Sequence, residues 1–134
     1  MKAEELRIKP SDLRLGNWVM YDNRYFQISM IADVFPELNT TEFGIGVVDY
    51  NNISAIPLSE EVLLRSGFHK CEKHENFYQI ILNDWTKIYV AFHEKQYAVE
   101  LSISKHSFCP KVNYLHQLQN LYYTLTGEEM EVSL

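Results

Sequence analysis

The sequence predicts an α+β fold: an N-terminal small SH3-like β-barrel or strongly bent sheet, a short helix, then an antiparallel β-meander packed by a C-terminal helix. Three observations carry this reading. Short runs rich in aromatic and β-branched residues fill positions 13–58 and 77–104, separated by turn residues. A fully punctuated helical unit at 59–67 divides the two groups. Residues 114–130, YLHQLQNLYYTLTGEEM, repeat leucine and tyrosine at helical spacing and end in glycine. The resulting organisation is an arm at 1–10, a barrel-like lobe at 11–58, a linking helix at 59–67, and a meander plus helix at 68–134. The connections are short, so the lobes are expected to form one compact unit.

In the first lobe, Leu13, Leu15, Trp18, Val19, Met20 and Tyr21 form a strand-like run in which Gly16 permits a bend. Asp22, Asn23 and Arg24 supply a turn, because Asp and Asn tolerate left-handed backbone. Strand character resumes at 25–31, so the two runs read as a hairpin. Residues 35–42, FPELNTTE, read as a loop, residues 43–50 as a third strand with Gly44 and Gly46 on one face, and residues 51–58 as a turn and a fourth short strand. The next unit, PLSEEVLLRSGF, carries an N-cap at Ser59, acidic residues in the first turn, a Leu58–Leu63 staple and a terminating Gly67.

The meander comprises residues 77–83, apolar on both faces and so expected to be central or covered; residues 87–93; a tight turn at Glu94 and Lys95; and residues 96–104. The last alternates cleanly, with Tyr97, Val99, Leu101 and Ile103 inward and Ala98, Glu100 and Ser102 outward. After a loop at 105–111, Leu115, Leu118, Tyr122 and Leu125 share one helical face, widened by Tyr114 and Leu121 and capped by Asn113 and Gly127. This face is expected to lie across the dry side of the meander. Each buried leucine would contribute about 1.5–3 kcal/mol.

Length and composition bound the functional classes. A chain of 134 residues with 46% hydrophobic and 22% charged residues can bury a core without disulfides. The net charge of −6 disfavours general attraction to nucleic acid or anionic membranes. The opening MKAEELRIKP lacks the apolar run of a signal peptide, and no stretch reaches the length of a membrane span. A cytoplasmic protein with two reduced cysteines, no cofactor and no membrane partner is therefore expected.

Candidate sites are few. The polar side of the last helix presents His116, Gln117, Gln119, Asn120 and Tyr123, with His116 and Asn120 neighbours at four-residue spacing; a solvated face competes with a binding surface there. In the first lobe Tyr21, Tyr25 and Tyr50, with Arg24, could grip a peptide or stack bases, whereas Trp18 and Phe26 read as core. His69, Cys71, His106 and Cys109 offer zinc-ligand types at spacings unlike structural zinc sites, and Cys109 beside His106 has the elements of an activated thiol. Glu128 and Glu129 follow a helix C-terminus, an end that prefers cations, so a basic partner such as Lys111 or Arg65 is expected for them if they are not simply solvated. No phosphate loop, hydrolase elbow or dinucleotide fingerprint occurs.

Three ordered stretches, LRLGNWVMYDNRYFQI, IPLSEEVLLRSGF and YLHQLQNLYYTLTGEEM, resemble the signatures of a family of small uncharacterised proteins encoded by bacterial phages, prophages and other mobile elements of gut anaerobes. The last stretch is the most specific, and residues 69–109 carry no signature. The resemblance implies a bacterial cytoplasmic setting and an accessory role in a mobile element, and it implies no catalytic residues. The leading expectation is a non-enzymatic module that binds a protein partner. The alternatives are nucleic-acid binding by the first lobe through Arg14, Tyr21, Arg24 and Tyr25, and a metal- or thiol-dependent enzyme built on His69, Cys71, His106 and Cys109.

Overall fold

The computed structural model describes residues 8, 10–31, 37–40, 44–93 and 96–134. Among them are nine strands, forming two antiparallel sheets, and two α-helices. The first sheet contains β1 (Trp18–Tyr21), β2 (Arg24–Met30), β3 (Glu37–Thr40) and β4 (Gly44–Val47), in that spatial order. The β1–β2 hairpin turns through Asp22 and Asn23, both left-handed, at φ 52° and 61°. That geometry matches the right-handed twist of the flanking strands.

Four expectations for this lobe are revised. The four described strands form an open sheet rather than a closed barrel: none pairs β4 back to β1, and the outer side of β1 instead takes a single bridge, Met20 to Ser54. The turn expected at the start of 51–58 is the 3-10 turn Tyr50–Asn52, but residues 53–58 run on as extended chain with isolated bridges, not as a fourth strand. Conversely, residues 37–40, read as loop, form β3, whose Leu38 and Thr40 pair with Gly46 and Gly44. Leu15, assigned to the first strand, lies exposed in the turn before it. Of the arm, the described Ile8 is buried and joins Leu13, Val19, Phe26 and Ile28 in the lobe's core.

Helix α1 (Glu60–Leu64) forms as its punctuation dictates: Ser59 Oγ accepts from the Val62 N–H at 3.2 Å, and Leu58 and Leu63 share a core cluster. Gly67, at φ 90°, reverses the chain so that the Phe68 N–H reaches the Leu63 carbonyl at 3.0 Å.

The second sheet has five strands rather than three, in the order β5 (His69–Lys70), β6 (Phe77–Ile81), β7 (Thr86–His93), β8 (Gln96–Ile103) and β9 (His106–Phe108). β6 is thus next to an edge, not central, and its Ile81 is exposed. The expected turn at residues 94 and 95 lies outside the described residues, between the paired His93 and Gln96. Tyr78, Ile88, Val90, Val99 and Leu101 form the covered face.

Helix α2 (Leu115–Thr126) covers that face with Leu118, Leu121, Tyr122 and Leu125, as its periodicity predicts. Tyr114, not Asn113, is its N-cap residue, and the Gln117 side-chain oxygen accepts from the backbone N–H groups of both. Leu115 faces a third cluster with Ile56 and Val62, flanked by Trp18 and Met20. The segment after α2 folds back: Met130 is buried in the second core, and the Ser133 N–H reaches the Arg65 carbonyl at 3.0 Å. Among the described residues no helix is long and apolar enough to cross a membrane.

Candidate functional site

The polar side of α2 faces the first lobe. Gln119 and His116 are buried, and Gln119 bridges two backbone groups at the mouth of β1: its Oε1 accepts from Trp18 N–H at 2.8 Å and its Nε2 donates to Gly16 C=O at 3.1 Å. Asn17, fully buried, donates from Nδ2 to Asn120 Oδ1 at 2.9 Å, while its own Oδ1 accepts from Arg14 N–H at 2.6 Å. Asn120 Nδ2 donates to the Asp12 carbonyl at 2.8 Å. These side chains satisfy one another, as buried amides must.

Arg14 closes the seam. Its guanidinium pairs with Glu129, donates to Asn120 Oδ1 at 3.2 Å, and lies over the Tyr123 ring at 4.2 Å from the centroid. Glu129 therefore finds its cation in the first lobe, not at Lys111 or Arg65. Arg65 instead pairs with Glu61 at 3.1 Å along its own helix. Gly16 can lie here because at φ 89° it takes a left-handed turn beside the Glu129 carboxylate. The motif LRLGNW and the motif QNLYY…GEE thus meet in space, and the Leu115 N–H bonds to the carbonyl of Ile56, in the stretch IPLSEEVLLRSGF, at 2.9 Å.

His116 is the buried member of this face that carries an unsatisfied polar atom. It is only 2% exposed, stacks nearly parallel to Tyr114 with centroids 6.1 Å apart, and its Nδ1 has no hydrogen-bond partner among the described residues. Burial pushes the imidazole down to about 4, against a weaker upward pull from Asp12.

Beside the seam an open groove of about 430 Å³ runs between the 3-10 turn at Pro10–Asp12 and α2, lined by Ser11, Asp12, Lys111, Gln117, Asn120 and Tyr123 among others. Its size falls in the range of ligand clefts. Of the predicted helix surface, then, His116 and Asn120 are spent on internal packing, and Tyr123 is shared between Arg14 and this groove.

The other candidates do not converge. Tyr21 and Arg24 are register partners and share a face, whereas Tyr25 pairs with Met20 on the opposite face. Tyr21 packs on Phe26 at 6.1 Å, and the Tyr50 side chain lies outside the described residues. With Arg14 committed to Glu129, the proposed base-stacking platform is not assembled among the described residues. His69 begins β5 and His106 begins β9, the two edges of the second sheet, so four strand spacings, about 19 Å, separate them. Cys71 follows β5 and Cys109 follows β9, and no group of three or more His, Cys, Asp or Glu among the described residues could hold a metal. The four side chains proposed as one metal or thiol centre are therefore two unrelated pairs.

Sequence reasoning missed the exposed end of the second sheet. Ile81 (59% exposed), Trp85 (68%), Ile103 (36%) and Phe108 (53%) are exposed at the end of the sheet that carries the β6–β7 and β8–β9 turns, whose backbones join through the Ser104 N–H to Trp85 carbonyl bond at 2.7 Å; by register Ile103 and Phe108 share the covered side, and Ile81 lies on the opposite side. The apolar run at 77–83 reads as covered on both faces, yet its Ile81 is exposed, and Trp85 lies in the connection that follows it.

The fold and its surfaces define a two-sheet α+β protein with a helix locked between the sheets by a polar seam. Comparison with protein-family models, with characterised proteins and with solved structures finds no match to the chain.

Proposed function

We propose that the protein is a non-enzymatic module that binds a protein partner and, following the resemblance carried by its three ordered motifs, an accessory component of a bacterial mobile element acting in the cytoplasm. The observation that carries the binding reading is the exposure of Trp85, Ile103 and Phe108 together at one end of the second sheet. Large apolar side chains gathered on a surface mark interaction sites, because leaving them wet costs free energy that a partner recovers. An enzymatic reading gains no support, since the candidate thiols and imidazoles sit at opposite sheet edges.

The test is capture from host lysate by the intact chain and by the double variant Trp85→Ser/Phe108→Ser. A stoichiometric partner retained by the former and lost by the latter is the expected result. Absence of any stoichiometric partner, or equal capture by both, overturns the reading.

A further inference from the structure

The apolar end of the second sheet adjoins an unusual stretch of chain. Asp and Glu outnumber Lys and Arg by 18 to 12 over the whole sequence, yet from Leu101 to Gly127 there is no acidic residue at all. The edge strand β9 lies in this stretch, with Lys105 before it and Lys111 shortly after. Neither lysine is ion-paired among the described residues. The carboxylate nearest the edge, Glu100, is engaged by the Ser107 hydroxyl.

β9 is also the more open edge of its sheet. At the other edge, β5 has only two residues and packs beside α1. The β8–β9 connection is a two-residue turn, Ser104–Lys105, with Ser104 left-handed at φ 56°. In such a hairpin the flanking pair Ile103–His106, and then Leu101–Phe108, exchange backbone hydrogen bonds. The intervening Ser107 therefore turns its N–H and C=O away from the sheet, toward whatever lies alongside. Phe108 and Ile103 project on the covered side of the sheet but remain exposed beyond the reach of α2. Past Phe108 the chain needs only three residues, about 10 Å when extended, to reach Lys111 in the wall of the groove.

We infer that the partner segment taken by this surface is an extended, acidic strand that adds to the edge of β9 and continues into the groove at Lys111. The inference rests on the protein-binding reading and names the chemistry of the partner. Strand addition supplies main-chain hydrogen bonds, while alternate side chains give specificity. On one side of the added strand, apolar residues meet Phe108 and Ile103. Acidic residues meet Lys105 and Lys111. Inside the groove, Ser11, Gln117 and Tyr123 offer further donors, Arg14 and Asn120 are already engaged, and the Asp12 carboxylate on the same wall confines an acidic side chain to the Lys111 side. A nucleic acid fits less well: two flanking lysines neutralise few phosphates, and a phosphate backbone offers no amide strand to pair with β9.

The test uses fluorescence polarisation with labelled peptides of about ten residues, one alternating Val and Glu and its counterpart alternating Val and Lys, and with an oligothymidylate of about twenty nucleotides. The expected result is saturable binding of the acidic peptide, with the basic peptide about tenfold weaker or silent. Charge reversal in Lys105→Glu/Lys111→Glu reverses that preference, and Ser107→Pro abolishes binding by removing the outward N–H. Slowed hydrogen exchange at the Ser107 amide on adding the acidic peptide reports the same contact without substitution. No binding of the acidic peptide, equal binding of both peptides, indifference to charge reversal, an unprotected Ser107 amide, or tighter binding of the oligonucleotide overturns the inference. A lysate partner lost with Trp85→Ser/Phe108→Ser but kept by Lys105→Glu/Lys111→Glu sinks this inference alone; failure to capture any partner sinks the binding reading beneath it.

Discussion

Asn17 and Asn120 stand 103 positions apart in the chain and meet amide to amide at 2.9 Å, within a seam where Gln119 holds the backbone of Gly16 and Trp18. The contact fixes α2 against the first lobe in one rotational setting, because the leucine face must at the same time lie on the second sheet. Apolar packing alone would tolerate a helix that slides or rolls. Buried amides that must find particular partners are far less tolerant.

Removing either amide is therefore expected to cost more than its small size suggests. Asn17→Ala leaves the Arg14 N–H without its side-chain acceptor and removes one donor from Asn120 Oδ1, a loss of about 1–3 kcal/mol. Asn120→Ala frees the Asp12 carbonyl and the Asn17 amide, with a similar cost. Urea denaturation of both single variants and the double variant should give a coupling of about 0.5–3 kcal/mol. Strict additivity would mean that the two side chains do not cooperate.

Arg14→Lys is expected to be nearly as harmful as Arg14→Ala. A lysine could still approach Glu129, but it cannot also present a planar face to Tyr123 and an N–H to Asn120. Glu129→Gln should cost little, about 1 kcal/mol or less, since that carboxylate is half exposed. Melting temperatures of the three variants separate a stacking and positioning role for Arg14 from a simple ion pair, which would make Glu129→Gln and Arg14→Lys trade places.

Much of this fold was legible because its determinants are local. The left-handed Asp22–Asn23 turn, the Ser59 cap, the Leu58–Leu63 staple and the alternation of β8 each need only neighbouring residues. What escaped were features decided at long range. β3, β5 and β9 are short and gain strand character only from the strands beside them. The polar face of α2 has the composition of a solvated surface, and nothing nearby in sequence says that Gln119 is buried or that its partners are Gly16 and Trp18. Likewise residues 77–83 read as covered on both faces, but by register Ile81 projects on the side of the sheet away from α2 and is exposed.

Gly16 and Gly127 offer a comparison in which space and conformation come apart. Both are left-handed, at φ 89° and 74°, and an added Cβ would meet ordinary van der Waals contact with Glu129 at the first and nothing within 4 Å at the second. Gly16→Ala and Gly127→Ala should therefore each cost about 1–2 kcal/mol from backbone conformation, not from collision. Asn, which tolerates the left-handed region, should cost less than Ala at both sites. Thermal melts showing Asn as harmful as Ala at Gly16 would mean that the packing against Glu129, not the backbone angle, decides.

His116 gives the protein a predictable response to acid. In the unfolded chain its imidazole titrates near 6.5, and in the folded protein burial lowers this to about 4. Between those values the unfolded state takes up a proton that the folded state refuses, so stability is full above pH 6.5 and falls as the pH drops toward 4. Below that both states are protonated and the contribution is flat. The displacement corresponds to a loss of about 3 kcal/mol at most. The buried Nδ1 has no acceptor to receive a second proton, and the Asp12 carboxylate is the charge that opposes the shift. Other groups also titrate in this window, so the decisive measurement is the difference between the wild-type chain and His116→Gln, each unfolded by urea at pH 7.5 and pH 4.5. The wild type should lose about 3 kcal/mol more than the variant across that interval. Parallel losses in the two proteins would show that this imidazole titrates alike folded and unfolded, and that the acid sensitivity lies elsewhere.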